Sequence, residues 1–380
     1  MIAEHAAPGL EGVVLTSTQL SRIDGEVGQL RYLGYDIHEL AQQATFEEIC
    51  LLLWHGALPS AKELAGFREQ LAIERRISAE ELALVQSIPL SGHGMDALRT
   101  LASGLAQLDP HANDLSLEAA ERIGIRLLGK LPVLIAAWER RRRGYEPIAA
   151  DPELGHAANI LLMLHGKRPS ALAERALSTY LVLLAEHGLN ASTFAARVAI
   201  SAQADTYAAI TAAIAVLKGL LHGGANQMAM EAFLEIGTAE RAGQYIEELL
   251  KRHGRLMGVG HRIYRVEDPR VRHLRAHVKA LAGEREGNWH AVADAVGHVV
   301  VRHPYFVERQ LNPNVEFYSA PLLYELGLPL DLFTVAFALS RIAGWIGHIR
   351  EQIAENRIIR PKAAYSGPAD RAFVAIDQRA

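Results

Sequence analysis

The sequence predicts a mostly α-helical protein of two lobes, with a small β-hairpin region at its N-terminus. Three observations carry this. From Thr45 onward, apolar residues recur three and four apart almost without interruption. Two helical stretches, DTYAAITAAIAVLKGLL and DLFTVAFALSRIAGWIGH, are apolar on nearly all sides, as befits helices at the centre of a large bundle or at an interface. Between them, from about residue 222 to 318, the helices become amphipathic with wet faces. A chain of 380 residues is ample for a large core and a second lobe. The expected partition is a large helical domain over residues 1–221, a small domain over 222–318, and a return to the large domain over 319–380 with a C-terminal helix and tail.

The elements follow in order. GVVLTSTQLSRIDGEVGQLRYLGYDIHEL holds short β-prone pieces separated by Asp24-Gly25 and Gly28, a hairpin or two. TFEEICLLLWHGALP opens with a Thr45–Glu48 capping pair and stops before Pro59. SAKELAGFREQLAIERRI and SAEELALVQSI repeat the helical spacing. LSLEAAERIGIRLLGKLPVLIAAWERRRR reads as one long helix or a pair kinked at Pro132, and Arg140 to Arg143 as its solvated end. ELGHAANILLMLHG, SALAERALSTYLVLLAEHG and NASTFAARVAIS lead to the apolar helix before His222. AERAGQYIEELLKRHG, DPRVRHLRAHVKALAGE and HAVADAVGHVVVRHP form the wetter set, before the apolar helix from Asp331.

Composition excludes several classes. The formal charge is −4 with acids and bases well mixed, so nothing argues for nucleic acid or an anionic membrane surface. The single cysteine, Cys50, allows no intrachain disulfide and no thiolate metal cluster. MIAEHAAPGLEG is neither a signal peptide nor a transit sequence, and no apolar stretch spans a membrane free of charge. A cytoplasmic protein is expected. HExxH, GxSxG and a Walker loop are missing, and no metal is expected.

What remains are polar groups in apolar or glycine-rich settings, where a charge must be partnered or await a ligand. His222 in GLLHGGAN precedes two glycines, with Asn226 one helical turn on; it caps a helix end or serves a ligand. His261 in MGVGHRIYRVEDPR lies between Gly260 and the arginines 262, 265 and 270, an anion site or a solvated loop paired with Glu267 and Asp268. Arg341 shares a stripe with Trp345 and His348 in an apolar helix and needs a carboxylate. His187 and Asn190 stand between two helices; Arg360 precedes a proline and is extended. Glu316, in NVEFYSAPLLYELG, is a carboxylate between Val315 and Phe317. An acid, two imidazoles and an arginine cluster suit proton abstraction next to a carbonyl on a substrate carrying carboxylates.

LHGGAN, GVGHRIYRVEDPR, NVEFYSAPLLYELG, SRIAGWIGHIREQ and IIRPKAAYSGP, in this order, resemble the citrate synthase family, as does the early IDGEVGQLRYLGYDIHELA. The likeness runs from about residue 10 to 368 and is similar in length to the short bacterial and archaeal dimeric form. It implies a two-domain helical homodimer whose small domain closes over oxaloacetate and creates the acetyl-CoA site. The implied reaction is condensation of acetyl-CoA with oxaloacetate, then hydrolysis of citryl-CoA; no cofactor is implied, the CoA thioester being a substrate. By resemblance, Glu316 stands for the base, His222 for the donor to the thioester oxygen, and His261 for the group that polarises the oxaloacetate carbonyl. His187, Asn190, Arg270, Arg341 and Arg360 match the oxaloacetate set, with Arg360 reaching in from the partner subunit. Arg255, Arg262 and Arg265 are the residues expected to meet the CoA phosphates.

The family pattern is Asn-Val-Asp-Phe-Tyr-Ser-Gly. Here Glu316 and Ala320 replace Asp and Gly, and Gln227 follows HGGAN in place of glutamate. The longer acid displaces its oxygen by about 1 Å, a misplacement that can lower a rate roughly a hundredfold. Three readings follow: a citrate synthase with an adjusted backbone, a 2-methylcitrate or longer alkylcitrate synthase using another acyl-CoA, or a weakly active CoA- or oxaloacetate-binding protein. Pro321 is expected at a helix start.

Overall fold

Three short strands open the chain: β1 (Ser21–Asp24), β2 (Gln29–Tyr32) and β3 (Tyr35–Asp36), an antiparallel meander in which Tyr32 pairs with Ser21 on one side and Tyr35 on the other. The computed structural model describes residues 8–10, 12–282 and 288–379. Most of the N-terminal stretch read for a leader, and residues 283–284 of one expected helix, lie outside them. Asp24 Oδ1 accepts the N–H groups of Glu26 and Val27 and so builds the β1–β2 turn. The Tyr32 hydroxyl donates into the carbonyls at the end of a later helix, Glu186 O at 2.9 Å among them, and so anchors the sheet.

Helix begins earlier than the sequence pattern indicates. Asp36 caps α1 (Ile37–Gln43), its carboxylate accepting the His38 N–H. Helices α2 (Phe46–His55), α3 (Ala61–Glu74) and α4 (Ala79–Ser87) each start at a capping box, Thr45–Glu48, Ser60–Glu63 and Ser78–Glu81. A further helix, α5 (Gly94–Gln107), is absent from the expected set; His93 caps it. Helix α6 (Leu117–Arg142) runs 26 residues straight through Pro132 as one element. Its arginine-rich end is not simply solvated. Arg142 forks onto Asp331 and touches Glu139, Arg143 also takes Glu139, and Arg140 and Arg141 donate to carbonyls. Because Glu139 is buried, the cations are needed as its partners.

Helices α7 (His156–His165), α8 (Ala171–Leu184), α9 (Ala191–Ser201) and α10 (Thr206–Leu217) follow, α9 and α10 packing along one another. α10 is not covered all round in the single chain: Val216 is 36% exposed, and Leu221 just beyond it 96%. Next come α11 (Ala225–Ile236), α12 (Ala242–Lys251), α13 (Val271–Leu281), α14 (Trp289–Val300), α15 (Pro304–Val307) and α16 (Val315–Glu325). α16 packs against α11, α13 and α14, so the expected boundary at 318/319 falls within a helix that serves this group.

Pro321 lies inside α16 and not at its start, because Asn314 already caps the helix. The proline has no N–H to give Phe317 O, and its segment is almost wholly buried. The last helix, α17 (Phe333–Ala354), threads the core against α2, α6, α8 and α9. The stretch Leu330–Ala354 is long and apolar enough to cross a membrane, yet its apolar window is entirely buried in the protein, as a core helix is. Beyond it the chain has no regular structure up to a 3-10 turn at Ile376–Gln378, and Tyr365 and Phe373 are exposed.

Candidate active site

Two loops are stitched together before any side chain is considered. Asn314 N–H donates to Gly258 O at 3.0 Å, Gly260 N–H to Asn312 O at 2.8 Å, and Asn314 Nδ2 to Gly260 O at 2.8 Å. A β-bridge links Val259 and Pro313. This holds the His261 loop to the first turn of α16, which carries Glu316. Only glycine fits at 258: φ is +79°, and a Cβ there would lie 3.0 Å from Phe317 Cα. The hairpin tip also rests on this loop. Arg265 N–H donates to Gly25 O at 2.9 Å, and a Cβ on Gly25 would fall 2.2 Å from Ile263 O.

His261 has its tautomer set by the backbone. Its Nδ1 accepts the N–H groups of Ile263 at 3.0 Å and Tyr264 at 3.1 Å, so the neutral ring carries its proton on Nε2. Its ring centroid lies 5.4 Å from that of His187 and 4.7 Å from Tyr264. Burial, and then the Arg270 cation, push its pKa down to about 4. His187 is held well below its usual range by burial, then by Arg270, His261 and Arg341; its Nε2 lies 3.0 Å from the Tyr264 hydroxyl. His222 follows α10, its Nε2 2.8 Å from Ser192 Oγ, and burial followed by Arg341 lowers its pKa to about 4. Ser192 is tied in turn to Asn190 Oδ1 and to Trp345 Nε1. Asn190 is thus both the N-cap of α9 and a support for the His222 contact.

The two buried arginines differ. Arg270 forks onto Asp268 at 2.9 and 2.6 Å; burial alone would lower its pKa, but Asp268 raises it. Arg341 has no carboxylate within 4.0 Å among the described residues, contrary to the pairing expected for it. Its Nε donates to Leu184 O at 2.6 Å, the guanidinium lies 4.8 Å from the Phe337 ring centroid, and burial lowers its pKa. The nearby acid is Glu186, which accepts Ser21 Oγ at 2.9 Å and faces His348 Nε2 at 3.1 Å. Burial would raise Glu186, but His348 and Arg341 hold it low. Arg341 therefore keeps charge that the protein only partly neutralises.

Glu316 is half-buried, in the first turn of α16, where the helix dipole favours an anion. Burial nonetheless raises its pKa, with Arg270 opposing. The field of Arg270 reaches Glu316, His261 and His187; that of Arg341 reaches Glu316, His222 and His187. These six side chains share one electrostatic setting. Such a set can take a proton from carbon, donate two neutral N–H groups to oxygens, and neutralise a dicarboxylate.

Arg360 is not among them: it is exposed and borders a cleft of about 720 Å³ with Arg197, Arg350 and Glu351. Arg255, Arg262 and Arg265 are exposed on or near the His261 loop. Sequence reasoning missed Ser192, Tyr264 and Glu186. Tyr264 sits three residues after His261 within a quoted motif, whereas nothing in the spacing of Ser192 announces that it meets His222.

The family model for the citrate synthase C-terminal domain matches residues 9–362. Citrate synthase 2 of Bacillus subtilis is 44% identical over 377 residues, covering 99% of this chain and 100% of its own. The 2-methylcitrate synthase 1 of Corynebacterium glutamicum is 38% identical over 377 residues, 98% of each chain. A solved ternary complex of carboxymethyl coenzyme A and oxaloacetate with citrate synthase from Thermoplasma acidophilum superposes with a TM-score of 0.93 at 29% identity, covering 99% of this chain and 100% of that one. Such full-length likeness defines an enzyme of the acyltransferase type. The chain belongs to the citrate synthase family.

Proposed function

We propose that the protein condenses acetyl-CoA with oxaloacetate and hydrolyses the resulting citryl-CoA, releasing citrate and CoA. In this reading Glu316 removes a proton from the acetyl methyl group while a neutral His222 donates to the thioester oxygen, so the enol forms without a full negative charge. The enol carbon attacks the oxaloacetate carbonyl carbon, and the oxygen receives the proton that His261 presents on Nε2. Water then attacks the citryl thioester, its hydroxyl joining the acyl carbon and its proton passing to the departing sulfur, which leaves as CoA; the proton taken by Glu316 makes good the one given by His261. Arg270 and Arg341, with His187, neutralise the carboxylates of oxaloacetate; Arg360 joins them from the partner subunit of a homodimer. Asn190 supports His222 through Ser192. Arg255, Arg262 and Arg265 meet the CoA phosphates, and residues 222–318 close over oxaloacetate as a small domain. The observation that carries the reading is Glu316, a carboxylate raised by burial on a helix turn stitched to the His261 loop.

The test is thiol release with oxaloacetate and a series of acyl-CoAs. Acetyl-CoA is expected to turn over fastest. Equal or better turnover with propionyl-CoA would replace the reading with a 2-methylcitrate synthase, the activity named for the Corynebacterium glutamicum relative. Glu316→Gln is expected to lower kcat by about 10²–10⁴-fold while oxaloacetate still binds. Surviving turnover in that variant clears Glu316 of the base role.

A further inference from the structure

Away from the site, α1, α8 and α13 meet over a cleft of about 450 Å³ bordered by Arg175, Arg272, His273 and His277. Every titratable group on its walls is basic. From α8, Arg175 donates to the carbonyls of Ala41 and Gln42 at the end of α1. From α13, Arg272 Nε makes a long 3.5 Å contact with His273 Nε2, which also lies 2.9 Å from His38 Nδ1 on α1. His277 Nε2 lies 3.1 Å from Thr179 Oγ1 on α8. Neither arginine has a carboxylate within 4.0 Å among the described residues. Asp36 acts on His38, at the rear of the group, and is not on the cleft wall.

Two guanidiniums beside a set of imidazoles, with no carboxylate on the wall, leave the cleft positive and discourage the rings from taking up protons. We propose that this cleft binds a phosphate-class dianion, held by Arg175 and Arg272 from opposite walls and by the His273 and His277 rings. The crowding already shows in the imidazoles. Burial, then His38, Arg272, His277 and Arg175, push His273 down to about 4, and His277 is lowered by burial and Arg175. A bound dianion supplies the missing charge and lets these rings take up protons. Helix α13 starts beside Arg270 and carries Arg272, His273 and His277 within its next two turns, so the anion fixes the helix that follows that arginine.

The experiment titrates inorganic phosphate into the full-length protein by calorimetry in a chloride buffer. Phenyl phosphate serves as a second arm, to tell a free phosphate site from one built for a phosphomonoester. Binding is expected to weaken at least tenfold in Arg272→Gln/His273→Asn, and separately in Arg175→Gln on the opposite wall, while Arg309→Gln, at an exposed arginine outside both this cleft and the candidate active site, binds as wild type. Circular dichroism confirms that each variant is folded; should the paired variant fail to fold, Arg175→Gln decides alone. Sulfate, whose charge is constant over this range, is expected to bind more tightly at pH 6 than at pH 8. No phosphate binding at millimolar concentration, wild-type affinity in the cleft variants, or loss in Arg309→Gln instead overturns the proposal.

Discussion

His222 and His261 are uncharged at neutral pH, because burial and a neighbouring arginine hold both near pKa 4. The sign of the linkage follows from this. In the unfolded chain these rings take protons near 6.5, while in the fold they resist until about 4. Their contribution to stability is therefore complete above the ordinary histidine pKa and is lost as pH falls from about 6.5 towards 4. Urea midpoints measured between pH 7.5 and 4.5 are expected to decline, and to decline less steeply in His222→Asn. Identical slopes would mean that His222 is not the group being charged. Glu316 runs the other way: burial raises its pKa in the fold, so the folded chain holds this proton more readily than the unfolded one, and stability falls as pH rises from the unfolded glutamate pKa towards the raised one.

At the scale of elements, the junction of the His261 loop with α16 is the sensitive place. Gly258→Ala is expected to lower stability by about 1–3 kcal/mol through its left-handed backbone alone and, beyond that, to disturb Phe317 and hence Glu316. Gly56 is the control, since it has a similar φ of +83° but nothing within 4 Å of a built Cβ. Gly56→Ala should therefore shift the melting temperature and leave kcat alone. Equal kcat in the two variants would show that the close approach at 258 does not matter. The same junction marks what the sequence could and could not disclose. Helices with a capping box, such as α2 to α4, were legible because side chain and backbone signal the same start. α1 was hidden by its β-like neighbours, and α5 by a histidine cap. Pro321 misled because a proline usually marks a first turn, whereas here Asn314 had begun the helix earlier. His222, His261 and Glu316 could be read from glycines and apolar flanks, but their supports, Ser192 and Tyr264, are partners in space and leave no spacing to find.

For the whole molecule, the decisive question is which subunit Arg360 serves. It stands apart from Arg270 and Arg341 of its own chain, exposed on the segment after α17 beside Arg197 and Arg350. Mixing Glu316→Gln with Arg360→Ala subunits in equal amounts is expected to restore up to about a quarter of wild-type activity, because half of the proposed dimers are then mixed and one of the two sites in each has both native residues. No recovery, with mixing verified by differently tagged chains, would place Arg360 in its own subunit's site or in none. A last consequence belongs to the β1–β2 turn. At Gly25 the hairpin lies flush against Ile263, leaving no room even for a methyl group. The tip acts as a doorstop of minimum thickness: the resting position of the loop that bears His261 is decided by the first hairpin of the chain, and one added carbon there would leave the door ajar.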